Sequence, residues 1–197
     1  MKVRSFSHVG ITVRDFNESV RFYWETFGCP LVGVSDADPT RVRGFFDVNA
    51  PGAKCKIGWI RVPGGGVIEI FEFTPQLPHQ PVSWNRVGIT HFSLRVTNIR
   101  KWYDYLTSKG VTVLGEPEQS PNGGQQFFFI QDCDGNLIEI MDLRLMHYVL
   151  QWLGLLGGWL ARNGWVRDYS RYYLPKSQLD SGRAGTGTTG SRSDNRR

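Results

Sequence analysis

Two histidines and two glutamates stand at matching places in a chain that repeats itself, and together they make a set of donors able to hold a divalent cation. His8 lies in Ser7-His8-Val9-Gly10-Ile11-Thr12-Val13, and Glu69 lies in Val67-Ile68-Glu69-Ile70-Phe71. The second copy places His91 in Thr90-His91-Phe92-Ser93-Leu94-Arg95-Val96 and Glu139 in Leu137-Ile138-Glu139-Ile140-Met141. A lone strand histidine is more often a surface or hydrogen-bonded residue, and a lone glutamate is more often paired with arginine. The repetition outweighs those readings: two of the 4 histidines occupy equivalent positions, and both copies end in Ile-Glu-Ile. Two imidazoles and two carboxylates suit zinc, nickel, cobalt, manganese or iron(II).

The elements that must position these residues follow from hydrophobic periodicity. Residues 6–13 alternate as a strand, with Val9, Ile11 and Val13 on one face and His8, Gly10 and Thr12 on the other. His91 likewise shares a face with Ser93 and Arg95. Both histidines are expected on the side of their strand that helices do not cover. Glu69 shares its face with Val67, Phe71 and Phe73, and Glu139 with Leu137, Met141 and Leu143. A carboxylate among apolar neighbours is costly to bury unless something neutralises it, and a divalent cation would.

Asp15 followed by Glu18 reads as a capping box that opens a helix, which Gly28 ends. A short strand over 30–34, a loop over 35–40, and strands over 56–62 and 67–74 joined by a Pro63-Gly64-Gly65-Gly66 turn complete the first copy. The glycine run lacks the Lys-Ser/Thr of a phosphate loop. The second copy has a strand over 88–96, a helix over 99–109 ended by Gly110, and strands over 111–114, 126–131 and 136–142. Each copy reads β-α-β-β-β, an α+β class. The expected domains are 1–143, made of modules 5–75 and 88–143 with linker 76–87; an apolar helical extension over 144–166; and a basic disordered tail over 167–197. His79 and His147 lack a partner at ligand spacing, and Glu72 and Asp142 read as structural.

The net charge of +5 would suggest nucleic acid if it were spread over the fold, but it is not. Residues 162–197 hold eight Lys/Arg against three Asp, a surplus equal to that of the whole chain, so residues 1–161 are balanced. No nucleic-acid partner is expected. The 3 cysteines form no Cys-x-x-Cys pair, and no apolar signal core follows Met1, so a reducing cytoplasm is the default location. Residues 145–161 are apolar but too interrupted for a membrane span; packing on the domain or a subunit is expected, with interfacial membrane contact the minor alternative.

These motifs resemble the vicinal oxygen chelate superfamily, which includes glyoxalase I, methylmalonyl-CoA epimerase, extradiol dioxygenases and fosfomycin- and bleomycin-resistance proteins. The resemblance covers residues 5–143. It rests on His8-Val9-Gly10-Ile11 with Asp15 and Phe22-Tyr23, on Ile68-Glu69-Ile70, on Thr90-His91-Phe92, and on Asp134-Gly135-Asn136-Leu137-Ile138-Glu139. It implies paired modules whose curled mixed sheet encloses one divalent metal ion per site, held by His8, Glu69, His91 and Glu139, in a homodimer acting on a small carbonyl compound.

Glyoxalase I is similar in using this ligand set, which implies proton transfer next to a carbonyl through a metal-stabilised enediolate, with Glu139 as base and Glu69 as its partner. The substrate pocket is expected from Thr12, Phe71, Phe73, Ser93, Arg95 and Met141, with Trp59 a further candidate. Bacterial-type glyoxalase I carries Arg four residues after the first ligand and Asn four after the second, and both hold glutathione. Thr12 and Phe73 stand there instead, which suggests a less charged ligand. Two alternatives remain: an iron(II) extradiol-type dioxygenase, for which Glu69 is surplus, and a non-catalytic binding or resistance protein.

Overall fold

The computed structural model describes residues 5–121, 124–144, 146–148 and 152–162. Its elements run β1 (His8–Thr12), α1 (Phe16–Phe27), β2 (Leu31–Ala37), α2 (Pro39–Phe46), β3 (Lys54–Arg61), β4 (Val67–Thr74), β5 (His91–Arg95), α3 (Ile99–Ser108), β6 (Glu118–Gln119), β7 (Gln126–Gln131), β8 (Leu137–Asp142), α4 (Met146–Tyr148) and α5 (Gly154–Arg162). The fold is α+β, with two four-stranded mixed sheets ordered β1-β4-β3-β2 and β5-β8-β7-β6. In each sheet the first strand of the module runs parallel to its last, and the remaining pairs are antiparallel. The internal repeat is therefore a repeat of topology.

The first helix is set by its ends. The Asp15 side chain accepts the Glu18 N–H at 2.8 Å, and Gly28 closes the helix in the left-handed region at φ 66°. Asn98 caps α3 in the same way, accepting from the Lys101 N–H. Alternation then sorts the strands: Ile68 and Ile70 of β4 and Ile138 and Ile140 of β8 are buried, and each glutamate lies between them on the opposite face. One apolar core joins the halves. It contains Ile60, Ile68 and Ile70 from the first sheet, Phe128, Ile130, Ile138 and Ile140 from the second, and Phe16, Tyr23, Ile99 and Leu106 from the two helices. Phe27 stacks on Trp102 at 5.9 Å, and the Tyr105 hydroxyl donates to the Glu25 and Thr26 carbonyls.

Three elements differ from the sequence expectations. The strand expected over 30–34 extends to Ala37, because Ser35 and Asp36 pair with Ile57 and Lys56 of β3. The loop expected over 35–40 gives way to α2, which Asp38 caps by accepting the Arg41 N–H at 2.9 Å, with Pro39 in the first turn. The strand expected over 111–114 is reduced to a single bridge, Val113 to Ile130, and the edge partner of β7 is β6 instead. Helix α2 matters for the site. Its Val42 and Phe46 join Cys55, Ile57, Phe71 and Phe73 in a second, smaller cluster, so it roofs one end of the face that carries Glu69.

The chain divides into compact units 1–146 and 147–197. Within the second, Trp152, Leu153, Leu155 and Leu156 are exposed. No helix among the described residues is long and apolar enough to cross a membrane. The expected basic tail over 167–197 lies outside the described residues.

Tyr23 is fully buried and donates its hydroxyl to Asp132 Oδ2 at 2.8 Å. Burial first, and the Asp132 charge second, push its pKa well above the ordinary tyrosine value. A raised folded-state value means that the unfolded chain ionises first. Tyr23 therefore contributes its full stabilisation below about pH 10 and loses it as the pH rises further. Tyr23→Phe is expected to cost about 1–2 kcal/mol at neutral pH in urea denaturation. It should also show a shallower loss of stability above pH 10 than the unaltered protein; equal alkaline slopes would contradict the assignment.

Candidate functional site

Strand pairing brings each histidine to its glutamate. Gly10 is the β1 residue opposite Glu69 and Ser93 the β5 residue opposite Glu139, so each histidine stands one pleat back on the same face. His8 Nε2 lies 3.3 Å from Glu69 Oε2, and His91 Nε2 lies 3.7 Å from Glu139 Oε2. The glutamate side chains are 17% and 12% exposed, the imidazoles 48% and 29%. Each pair is thus a recessed carboxylate beneath a more accessible ring.

The histidine at each site also has a hydroxyl on its other nitrogen. Ser7 Oγ lies 3.1 Å from His8 Nδ1, and Thr90 Oγ1 lies 2.9 Å from His91 Nδ1. With the hydroxyl accepting from Nδ1–H, Nε2 keeps its lone pair turned toward the carboxylate. Two lone pairs that close need a positive charge between them, either a proton or a cation. Two donors about 2.1 Å from a shared cation, at roughly a right angle or a tetrahedral one, stand about 3.0–3.4 Å apart. The His8–Glu69 spacing falls in that range and the His91–Glu139 spacing lies slightly beyond it. The Ser7 and Thr90 contacts were not foreseen, although a hydroxyl residue precedes the histidine in both copies.

The two pairs do not meet within the chain. Among the described residues no group of three or more His, Cys, Asp or Glu stands close enough to hold a metal. Topology gives the reason: the halves share their core through the inner faces of both sheets, and the pairs lie on the opposite faces. The four donors therefore stand as two separate His–Glu pairs. The expected pocket residues divide likewise, with Thr12, Phe71 and Phe73 on the first sheet and Ser93, Arg95 and Met141 on the second.

Phe71 and Phe73 are also less free than expected. They stack on each other at 6.2 Å, and each meets the Phe46 ring edge-on, at 5.6 and 5.4 Å. Trp59, opposite Glu69 on β3, donates its indole N–H to Glu69 Oε1 at 2.8 Å.

A cleft of ≈ 850 Å³ opens beyond Thr12 and Phe73, walled by Asp47, Asn49, Ala50, Gln76, Leu77 and His79. Thr12 and Phe73 stand four residues along their strands from His8 and Glu69, about 13 Å at the usual rise. Its arginine, Arg14, is committed: Nε donates to Asp134 Oδ1 and Nη2 to the Cys133 carbonyl, both at 2.7 Å. The cleft therefore offers amides, a hydroxyl, the His79 imidazole, the Asp47 carboxylate and apolar surface rather than an unengaged arginine. His79, which sequence reasoning left without a role, lies on its wall. A smaller hollow of ≈ 450 Å³ reaches His91 and Ser93 from beside Val9 and Ile68. Burial pushes the thiols of Cys29, Cys55 and Cys133 up to about 11, which keeps them protonated at neutral pH and unsuited to nucleophilic work.

Residues 5–140 match the Glyoxalase/Bleomycin resistance protein/Dioxygenase superfamily. The chain belongs to that superfamily. A 2-epi-5-epi-valiolone epimerase from Actinomyces sp is 29% identical over 147 residues, covering 69% of this chain and 78% of that protein. A lactoylglutathione lyase from Arabidopsis thaliana is 24% identical over 138 residues, or 70% of this chain, but this chain spans only 44% of that protein's length. Among solved structures, a glyoxalase family protein from Bacillus cereus superposes with a TM-score of 0.62 at 22% identity, covering 72% of this chain and 95% of that one. Leishmania major glyoxalase I gives 0.53 at 17% identity, covering 83% and 100%. These structural likenesses establish the superfamily fold.

Gly10 sets the face between His8 and Thr12. A Cβ there would lie 3.1 Å from the Phe71 ring, so Gly10→Val must push the ring off the strand. The expected cost is about 1–3 kcal/mol in chemical denaturation; a change below about 0.5 kcal/mol would show that the ring does not rest there.

Proposed function

We propose that this protein is a metal-dependent enzyme of the glyoxalase I type that moves a proton at a carbon next to a carbonyl group. The observation that carries the reading is the pair of matching half-sites, each presenting a histidine Nε2 and a glutamate Oε2 at about the spacing of two ligands on one cation. His8, Glu69, His91 and Glu139 would hold the ion. Two copies of the chain would complete each site, the first sheet of one facing the second sheet of the other, because one chain alone keeps its half-sites apart. The three free thiols fit a reducing, cytoplasmic setting.

When bound, a divalent cation such as nickel, zinc, cobalt or manganese would supply the positive charge that acidifies a C–H beside a carbonyl. The chain's own residues do the rest. Glu139, whose carboxylate faces the His91 ring at 3.7 Å and has no counterpart of the Trp59 N–H across its sheet, takes the proton and returns it. Glu69 stays in place, held by Trp59. Ser7 and Thr90, accepting from Nδ1–H, would leave each Nε2 lone pair free for the ion. The cleft beyond Thr12 binds the body of the substrate, and its lack of an unengaged arginine favours a neutral, hydroxylated compound over a glutathione conjugate. The epimerase relative supports this choice, since epimerisation breaks and remakes one bond at a stereocentre, and a C–H next to a carbonyl is readily broken.

Metal content by elemental mass spectrometry, on protein purified without chelator and beside Glu69→Ala, tests the reading. About one nickel, zinc, cobalt or manganese per chain, weakened in the variant, is the expected result. Iron retained without Glu69 would favour the extradiol-type dioxygenase instead. No metal even after reconstitution would leave a binding or resistance protein. In D2O, a bound cyclic hydroxyketone is expected to incorporate deuterium, and Glu139→Gln to slow this at least about 100-fold.

A further inference from the structure

The two half-sites repeat their ligands but not their neighbours. Across each sheet, Glu69 stands between Gly10 on β1 and Trp59 on β3, whereas Glu139 stands between Ser93 on β5 and Phe129 on β7. Trp59 therefore brings an N–H donor to a position where the second module has only a hydrocarbon ring. The indole N–H reaches Glu69 Oε1 at 2.8 Å, on the oxygen that does not face His8. The indole has room because its neighbour on the other side is a glycine: a Cβ on Gly33 would lie 3.1 Å from Trp59 Cε3. In the second module Phe129 instead packs edge-on against the His91 ring at 5.3 Å, with Trp84 closing over both.

We propose that Trp59 is a positioning residue that makes Glu69 the fixed carboxylate of the site and, by its absence from the other half, leaves Glu139 as the mobile one. A hydrogen bond to a charged acceptor is roughly twice as strong as a neutral one. It removes the carboxylate's freedom to rotate and aims Oε2 outward beside His8 Nε2. Gly33 is part of the same device, since it clears the space that lets the ring lie across β2 with its N–H toward β4. A repeat with two identical carboxylates could exchange their roles; this difference assigns them.

The inference rests on the metal-site reading above, so its test reads metal affinity rather than activity. Zinc is titrated into the full chain against a chromophoric chelator, with circular dichroism and a thermal melt confirming the fold of each variant. Trp59→Phe keeps an aromatic ring over Gly33 and deletes only the donor, and zinc affinity is expected to fall about 10- to 100-fold. The same substitution added to Glu69→Gln should cost little more, whereas added to Glu139→Gln its loss should multiply. Gly33→Ala, which leaves Trp59 and Glu69 intact but crowds the indole, should weaken zinc in the same direction and by less. Unchanged affinity in Trp59→Phe, or equal multiplication with both glutamate variants, overturns the assignment while leaving the metal site standing. Failure of the unaltered chain to bind zinc overturns both.

Discussion

A buried carboxylate ties the two modules together. Asp132, only 6% exposed, accepts from the Tyr23 hydroxyl, the backbone N–H groups of Asp134 and Asn136, and the Asn136 side-chain amide. Four donors satisfy a charge that would otherwise be prohibitive to bury. Tyr23 belongs to α1 of the first module, and the 132–136 turn leads directly into β8, the strand that carries Glu139. One residue thus links the first module's helix to the start of the strand that carries Glu139. Arg14 and Ser19 add to it by donating to Asp134 from the first module. Removing the Asp132 charge would strand Tyr23 and the turn amides together, so the cost would exceed that of any single hydrogen bond.

That join has a consequence for chemistry. Because the chain spends the inner faces of both sheets on one core, the outer faces must carry whatever site exists. Strand alternation then puts His8 and Glu69 on one outer face and His91 and Glu139 on the other. The first outer face is further divided by α2, whose cluster takes in Phe71 and Phe73 and reaches as far as Trp59 beside Glu69. The faces that build the core and the faces that carry the two His–Glu pairs are thus sorted by the same strand alternation.

Much of this was legible in the sequence, for a physical reason. Period-two alternation is a strong signal when one strand face is buried, so β1, β4, β7 and β8 emerge with their buried and outward faces sorted as expected. Capping residues marked α1. What was lost depended on weaker or longer-range signals. Asp38-Pro39 looks like a loop opening, yet a capping aspartate followed by proline is equally a helix start, and eight residues give too little periodicity to decide. The 111–114 segment has strand composition, but a strand needs a partner along its length, and β7 offers it only Ile130. The Asp132–Tyr23 bond and the commitment of Arg14 join residues more than 100 positions apart. No spacing rule reveals those.

Trp59 shows the same limit at the site itself. Its place opposite Glu69 follows from the four-residue turn after Val62, since one residue more or less would turn the indole to the other face of the sheet. The Pro63-Gly64-Gly65-Gly66 turn supplies the required backbone, with three successive glycines at positive φ. The glycines are thus not a phosphate-binding loop but the device that sets the β3–β4 register. Through that register they place a hydrogen-bond donor on one carboxylate of an otherwise symmetrical pair. A duplicated fold starts with two equal halves, and acid–base chemistry benefits from unequal ones. Here the inequality enters through cross-strand neighbours rather than through the repeated His and Glu themselves, which is why those four residues remain so easy to read.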